Sequence, residues 1–164
     1  LPKIFRLTKG GKLIGGIFEG ATINTISMLA IEDVIDAMQW GLSVGGLKAM
    51  QARADANAKV IADWVQRTDW VDFLAEQENQ RSNTSVCLTI VDPDIASLAP
   101  EKQAAFAKSL VGLLDKQEAA FDIGAYRDAP SGLRIWCGST VEKTDLEALT
   151  PWLDWAFATQ KFTL

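Results

Sequence analysis

Two arginines toward the C-terminal end pose the first chemical question. Arg134 stands in Gly132-Leu133-Arg134-Ile135-Trp136, among apolar neighbours in a run that reads as a strand. A guanidinium there needs a partner, and a planar carboxylate meets its fork in a bidentate pair. A bound acid would serve, and so would an Asp or Glu of the chain itself. Arg127 lies in the preceding turn, where Pro130 and Gly132 mark the bend. A second candidate is Asn24-Thr25-Ile26-Ser27, just ahead of a periodic apolar segment. An amide, hydroxyls and free N–H groups at a helix start offer an anion site. Simple N-capping by Thr25 or Ser27 would use the same groups. Lys9-Gly10-Gly11-Lys12 fails the phosphate-loop pattern, because Leu13 follows where Ser or Thr is required, and it reads as a glycine turn.

What the chain lacks narrows its chemistry. Its 164 residues include no histidine, so they supply no Ser-His-Asp triad, Cys-His pair or His-ligated zinc site. The two cysteines, Cys87 and Cys137, are far apart and form no CxxC. Inside apolar segments they read as reduced core residues of a cytoplasmic protein. No metal site is expected. The net charge of −5, with Lys and Arg scattered, speaks against a nucleic-acid partner. No apolar run approaches the ~18 residues of a membrane span. A hydrophobic content of 48% is that of a folded domain rather than a disordered chain. The opening Leu1 is not a methionine and has no cap or turn behind it, so the chain reads as a piece of a longer polypeptide.

The elements that must position these groups follow from periodicity. Residues 1–27 are punctuated by Gly10, Gly11, Gly15, Gly16 and Gly20 and read as short strands and turns, too small to enclose a core. Ile4, Phe5, Leu13, Ile17 and Phe18 would then pack against something outside that segment. Ile31, Val34, Ile35, Met38 and Leu42 make one face of a helix over 29–44, with Glu32, Asp33 and Asp36 in its first turns and Gly45-Gly46 ending it. A second helix, about 47–67, carries the stripe Leu47, Met50, Ala54, Ala58, Ile61 and Val65. The β-rich run 85–91 closes at Asp92-Pro93, and Pro100 opens a helix of about 100–118. Two short strands, 121–125 and 133–137, flank the arginine turn. Thr144 and Glu147 form a capping box for a last helix, in which Pro151 should produce a kink or a restart capped by Thr150. Trp64, Trp70, Trp152 and Trp155 read as core or interface residues rather than a ligand platform. From about residue 84 the order is β-α-β-β-α, a small α+β unit with helices on one face of its sheet.

Four short motifs, in register and in order, carry a resemblance. They are Phe18-Glu19-Gly20-Ala21-Thr22-Ile23-Asn24-Thr25; Gly45-Gly46-Leu47-Lys48-Ala49-Met50 with Arg53-Ala54-Asp55-Ala56-Asn57; Arg81-Ser82-Asn83-Thr84-Ser85-Val86-Cys87-Leu88; and residues 125–138, AYRDAPSGLRIWCG. Together they resemble the C-terminal portion of the phosphoserine aminotransferase family, in the branch found in alphaproteobacteria and some archaea. The resemblance spans nearly the whole chain.

The resemblance implies an α/β, fold-type I, pyridoxal-phosphate-dependent homodimer of the cytoplasm. Such an enzyme moves an amino group between L-glutamate and 3-phosphooxypyruvate in serine biosynthesis. It further implies that 1–28 is the tail of the large cofactor domain, 29–67 two linking helices, and 68–164 the small C-terminal domain. Asn24 and Thr25 align with the pair that reaches the cofactor phosphate of the neighbouring subunit, although Ile26 stands where the family has proline. Arg134 aligns with the arginine that grips the substrate α-carboxylate, and Arg127 with one that grips the substrate phosphate. The family's Schiff-base lysine lies upstream of Leu1. Lys3, Lys9 and Lys12 do not match its motif, so no catalytic residue is expected in this chain. Two other readings compete: a non-catalytic, amino-acid-binding regulatory α+β module, and another fold-type I aminotransferase.

Overall fold

Gly45 and Gly46 take φ values of 106° and 72°, a left-handed bend that separates two helices. The chain divides there into two compact units, one up to Val44 and one from Gly45 onward. The computed structural model describes Pro2 and residues 5–163. The apolar Ile4 and Lys3 of the sequence reading lie outside the described residues.

In the first unit, β1 (Thr8–Lys9) and β2 (Lys12–Leu13) pair antiparallel, Thr8 opposite Leu13 and Lys9 opposite Lys12. Gly10 and Gly11 turn between them with φ of 58° and 74°. Two positive φ values in a two-residue loop match the twist of a hairpin, which is why two glycines stand there. A 3-10 turn, Gly15–Phe18, follows. Helix α1 (Met28–Ser43) starts where the Ser27 hydroxyl accepts a hydrogen bond from the Ala30 amide at 3.3 Å. Because α1 begins at Met28, Glu32, Asp33 and Asp36 fall in its second and third turns and none lies in the first. Its apolar stripe is present, but Val34, Ile35, Met38 and Leu42 are exposed.

The second unit is a three-stranded antiparallel sheet with helices against one face. Its elements are α2 (Gly46–Gln66), β3 (Val71–Phe73), β4 (Ser85–Ile90), the short α3 (Pro93–Ala96), α4 (Pro100–Lys116), β5 (Leu133–Trp136) and α5 (Lys143–Lys161). The strand order is β3-β4-β5, with Val71 opposite Ile90 and Leu88 opposite Leu133. Val86, Leu88, Leu133 and Ile135 point to the buried face, where they meet Ile61, Trp64, Leu110, Leu114 and Leu153 from the helices. Trp70 stacks on Phe157 with centroids 4.3 Å apart, and the indoles of Trp64 and Trp70 both donate to the Asp154 carboxylate. Two residues past β4, Asp92 caps α3 through its Oδ1 and receives Lys161 Nζ at 2.7 Å on Oδ2. Hydrogen bonds to Asp92 and then Asp94 hold the Lys161 ammonium above the usual lysine pKa.

Several local readings need correction. Strand β3 is new: three residues are too few to show a period, and pairing with β4 makes the strand. The expected strand 121–125 is reduced to one bridge, Gly124 opposite Leu133, because Glu118 and Asp122 take φ of 55° and 53° and turn the chain. Thr144 and Glu147 form no capping box. Helix α5 begins two residues earlier than a Thr144 cap requires, with Glu142 in the cap position, and Glu147 pairs with Lys143 at 2.8 Å. Nor does Pro151 restart the helix. The proline lacks the N–H that would reach the Glu147 carbonyl, and the Thr150 hydroxyl donates to that same oxygen at 3.3 Å. In α2, Leu47 is exposed, while Asn57 and Trp64 complete the buried stripe. Cys137 is buried as expected, with its thiol pushed up to about 12 by desolvation, but Cys87 is exposed. Trp64 and Trp70 are core, whereas Trp152 and Trp155 form an edge-to-face pair that remains partly exposed.

Candidate functional site

Alternation along β5 decides where Arg134 points. Leu133 and Ile135 are buried, so Arg134 lies with Trp136 on the outer face of the sheet. Its partner in register on β4 is Cys87, itself exposed. The arginine therefore lies on the face opposite the core, beside Trp136 and Cys87, with its side chain 34% exposed. Its Nη2 donates to Asp122 Oδ2 at 3.1 Å, while its Nε is buried and has no hydrogen-bond partner among the described residues. Asp122 reaches it because the backbone is tied on either side of the bridge. The Arg134 amide donates to the Ile123 carbonyl at 2.8 Å, and the Ala125 amide to the Gly132 carbonyl at 3.2 Å.

Arg127 is exposed on the loop between the bridge and β5, and it makes no hydrogen bond or ion pair among the described residues. It lines a hollow of 590 Å³ together with Lys108 and Val111 of α4 and with Tyr126 and Ser131 of the loop. Two cations on one hollow suit an anion. The loop closes onto the sheet at Gly132, where a Cβ would collide with the Leu88 carbonyl oxygen, so only glycine allows that approach.

Asn24 and Thr25 belong to the first unit. Ser27 caps α1, which leaves these two side chains exposed and without hydrogen-bond partners among the described residues. Thr22 closes the turn before them by donating to the Asn24 carbonyl at 2.8 Å. Capping and anion binding thus do not compete for the same groups. An amide and a hydroxyl that the helix does not use fit a phosphate as neutral donors.

The remaining motif residues hold the second unit together. Asn57, buried in α2, donates from Nδ2 to the carbonyls of Cys137, Gly138 and Val141 at 3.3, 3.2 and 2.8 Å. Arg53 donates to the Ser139 carbonyl and pairs with Glu142. Asn83 donates to Asp55 at 2.7 Å. The sequence reading missed Asp122, Lys108 and Asn57. Only Asn57 left a signal: it falls on the buried stripe of α2, where a polar side chain must find partners. Among the described residues, no cluster of three Cys, Asp or Glu is placed to hold a metal ion, and no helix is long and apolar enough to cross a membrane.

Comparison with known proteins places this arrangement. Over 157 residues, 96% of the chain, the sequence is 52% identical to a protein named phosphoserine aminotransferase from Methanosarcina mazei. This chain is homologous to the phosphoserine aminotransferases. It is 53% identical over the same length to the protein of that name from Methanosarcina barkeri. The chain spans 40% of the length of these curated relatives. No family model matches the sequence. Among solved structures, the phosphoserine aminotransferase of Bacillus circulans subsp. alkalophilus superposes with a TM-score of 0.71 at 18% identity, over 88% of this chain and 36% of that one. The pyridoxal-phosphate-bound phosphoserine aminotransferase of Trichomonas vaginalis superposes at 0.69 and 17% identity, over 84% and 36%. The solved structures establish the mixed α/β fold, and the curated relatives establish the homology.

Proposed function

We propose that the protein carrying this sequence is a pyridoxal-phosphate-dependent phosphoserine aminotransferase, and that these residues form its C-terminal part. In this reading 1–28 is the tail of the large domain, 29–67 the linking helices and 68–164 the small domain. The observation that carries it is 52% identity across 157 residues. The reaction exchanges an amino group between L-glutamate and 3-phosphooxypyruvate in the cytoplasm. When bound, the cofactor supplies an electron sink for the substrate's α-carbon. Asn24 and Thr25 donate to its phosphate across a homodimer interface. Arg134 offers a planar fork to the substrate carboxylate, which fixes the α-carbon in place. Arg127, with Lys108 on the same hollow, neutralises the acid group at the substrate's far end. The lysine that carries the cofactor is supplied from outside these residues, since Lys9 and Lys12 only flank a hairpin turn.

The test compares the complete protein with the 164-residue chain. The complete protein should aminate 3-phosphooxypyruvate at the expense of glutamate. The chain alone should do neither that nor form a stoichiometric, borohydride-fixed pyridoxal phosphate adduct at one lysine. Failure of the complete protein to turn over would sink the assignment. A specific adduct with turnover in the short chain would show that the active site has been misplaced.

The donor role of Asn24 and Thr25 has its own test. Replacing both by Ala in the complete enzyme should weaken cofactor retention at least about tenfold, as expected for two lost hydrogen bonds to a charged group. Mixed dimers of this variant with one lacking the cofactor lysine should recover partial activity, because one arrangement of defects leaves a site intact. If no mixture recovers, the two residues act within their own subunit.

A further inference from the structure

The Arg134 fork is not free to turn, and the residue that limits it is one that neither the sequence motifs nor the comparisons single out. We propose that Asp122 is a positioning residue for Arg134: it holds the guanidinium so that its outer edge faces a substrate carboxylate. The inference rests on the reading of Arg134 as the carboxylate clamp.

Three observations carry it. First, Arg134 Nη2 is held at 3.1 Å by Asp122 Oδ2, and among the described residues no other side chain is bonded to the guanidinium. Second, Nε is buried and unpartnered, so the side-on edge of the fork is closed to a ligand from solvent. A carboxylate can reach the arginine only end-on, through Nη1 and Nη2, and the rotation of the plane then decides whether both donors meet it. Third, Asp122 stands at φ 53°, one residue before the carbonyl that accepts the Arg134 amide. A non-glycine residue costs energy in that conformation. The left-handed turn brings the carboxylate back over the sheet edge to the arginine. The pair, with Asp122 93% exposed, adds little to stability, so its effect is read in how the fork meets a ligand rather than in folding.

Two variants separate the carboxylate from the backbone. Asp122→Gly accepts a positive φ and removes the acceptor. Asp122→Asn also tolerates that φ and keeps an oxygen for Nη2. Both are made in the complete, cofactor-loaded enzyme, with thermal unfolding as a folding control. The readouts are KM and kcat for glutamate, and the calorimetric Kd of glutarate, a dicarboxylate that cannot react. Asp122→Gly should raise KM and the glutarate Kd together by about three- to fivefold and lower kcat by no more than that, because a fork that turns holds the carboxylate plane less well. Asp122→Asn should recover most of both. Arg134→Lys serves as the reference. If Arg134→Lys weakens glutarate binding while Asp122→Gly leaves it unchanged or tightens it, the positioning role is overturned and the clamp stands. Tightening would identify Asp122 as a competitor for the fork. If Arg134→Lys itself leaves glutarate binding unchanged, the clamp reading fails, and the role of Asp122 with it.

Discussion

Arg134→Lys in the complete enzyme is expected to lower kcat/KM for glutamate by about 2–4 kcal/mol, roughly 30- to 1,000-fold. Lysine keeps the positive charge and loses the planar pair of donors. It presents a compact ammonium on a flexible stem, which can meet one carboxylate oxygen but cannot fix the plane of the group. In an amino-transfer reaction that plane sets the direction of the α-carbon's bonds, so the loss should appear in kcat as well as in KM. Stability should hardly change. The one ion pair given up joins a half-buried arginine to an almost fully exposed aspartate, and such pairs contribute about 0–1 kcal/mol. Steady-state kinetics with glutamate, alongside urea unfolding, separates the two effects. An unchanged kcat/KM would return Arg134 to the other reading of its sequence, a guanidinium paired only with an acid of its own chain.

How far the residues foretold this arrangement depends on the range of the interactions that set it. The long helices α1, α2 and α4 are written in apolar spacing, and they occur within one or two residues of the expected bounds; α5 shows the same spacing but runs on through Pro151. Strand β4 was equally plain. Strand β3 was not, because it is made by pairing with β4 and in three residues no period can show; the strand expected at 121–125 shrinks to the bridge at Gly124, where the positive φ of Asp122 interrupts it. Thr144 and Glu147 have the right spacing for a capping box, but Lys143 sits four residues before Glu147 and takes its carboxylate. The site divides in the same way. Leu133-Arg134-Ile135 already implies, by alternation, that Arg134 faces away from a core that buries its neighbours. Nothing local says that Asp122 will turn back through a left-handed conformation to meet it. The reading of Asn24, Thr25 and Arg127 came from family resemblance. Periodicity alone left capping and anion binding open, and Ser27 settles only which residue caps the helix.

The second large effect is on folding. Asn57→Ala should destabilise the chain by about 2–4 kcal/mol, and Asn57→Asp by more. Asn57 is 1% exposed, and its amide spans the carbonyls of Cys137, Gly138 and Val141. Those carbonyls belong to the segment by which β5 leaves the sheet and enters α5, so one side chain of α2 fixes the path between them. Alanine removes the donor and leaves carbonyls facing a cavity too apolar to offer a replacement. Aspartate keeps the shape and turns donor into acceptor, placing oxygen against oxygen. To stay in place its carboxyl must remain protonated, which raises its pKa in the folded state above the unfolded value of about 3.9. A group raised on folding gives stability that is present at low pH and lost as pH rises through the folded-state pKa. The Asn57→Asp deficit should therefore be smallest below about pH 4 and grow toward neutrality, whereas that of Asn57→Ala should stay level. Urea unfolding of the 164-residue chain, followed by the fluorescence of its tryptophans from pH 4 to 7, reads both. A cost for Asn57→Ala below about 0.5 kcal/mol would mean that water or a shifted backbone satisfies the three carbonyls, and that this asparagine does not fix the turn.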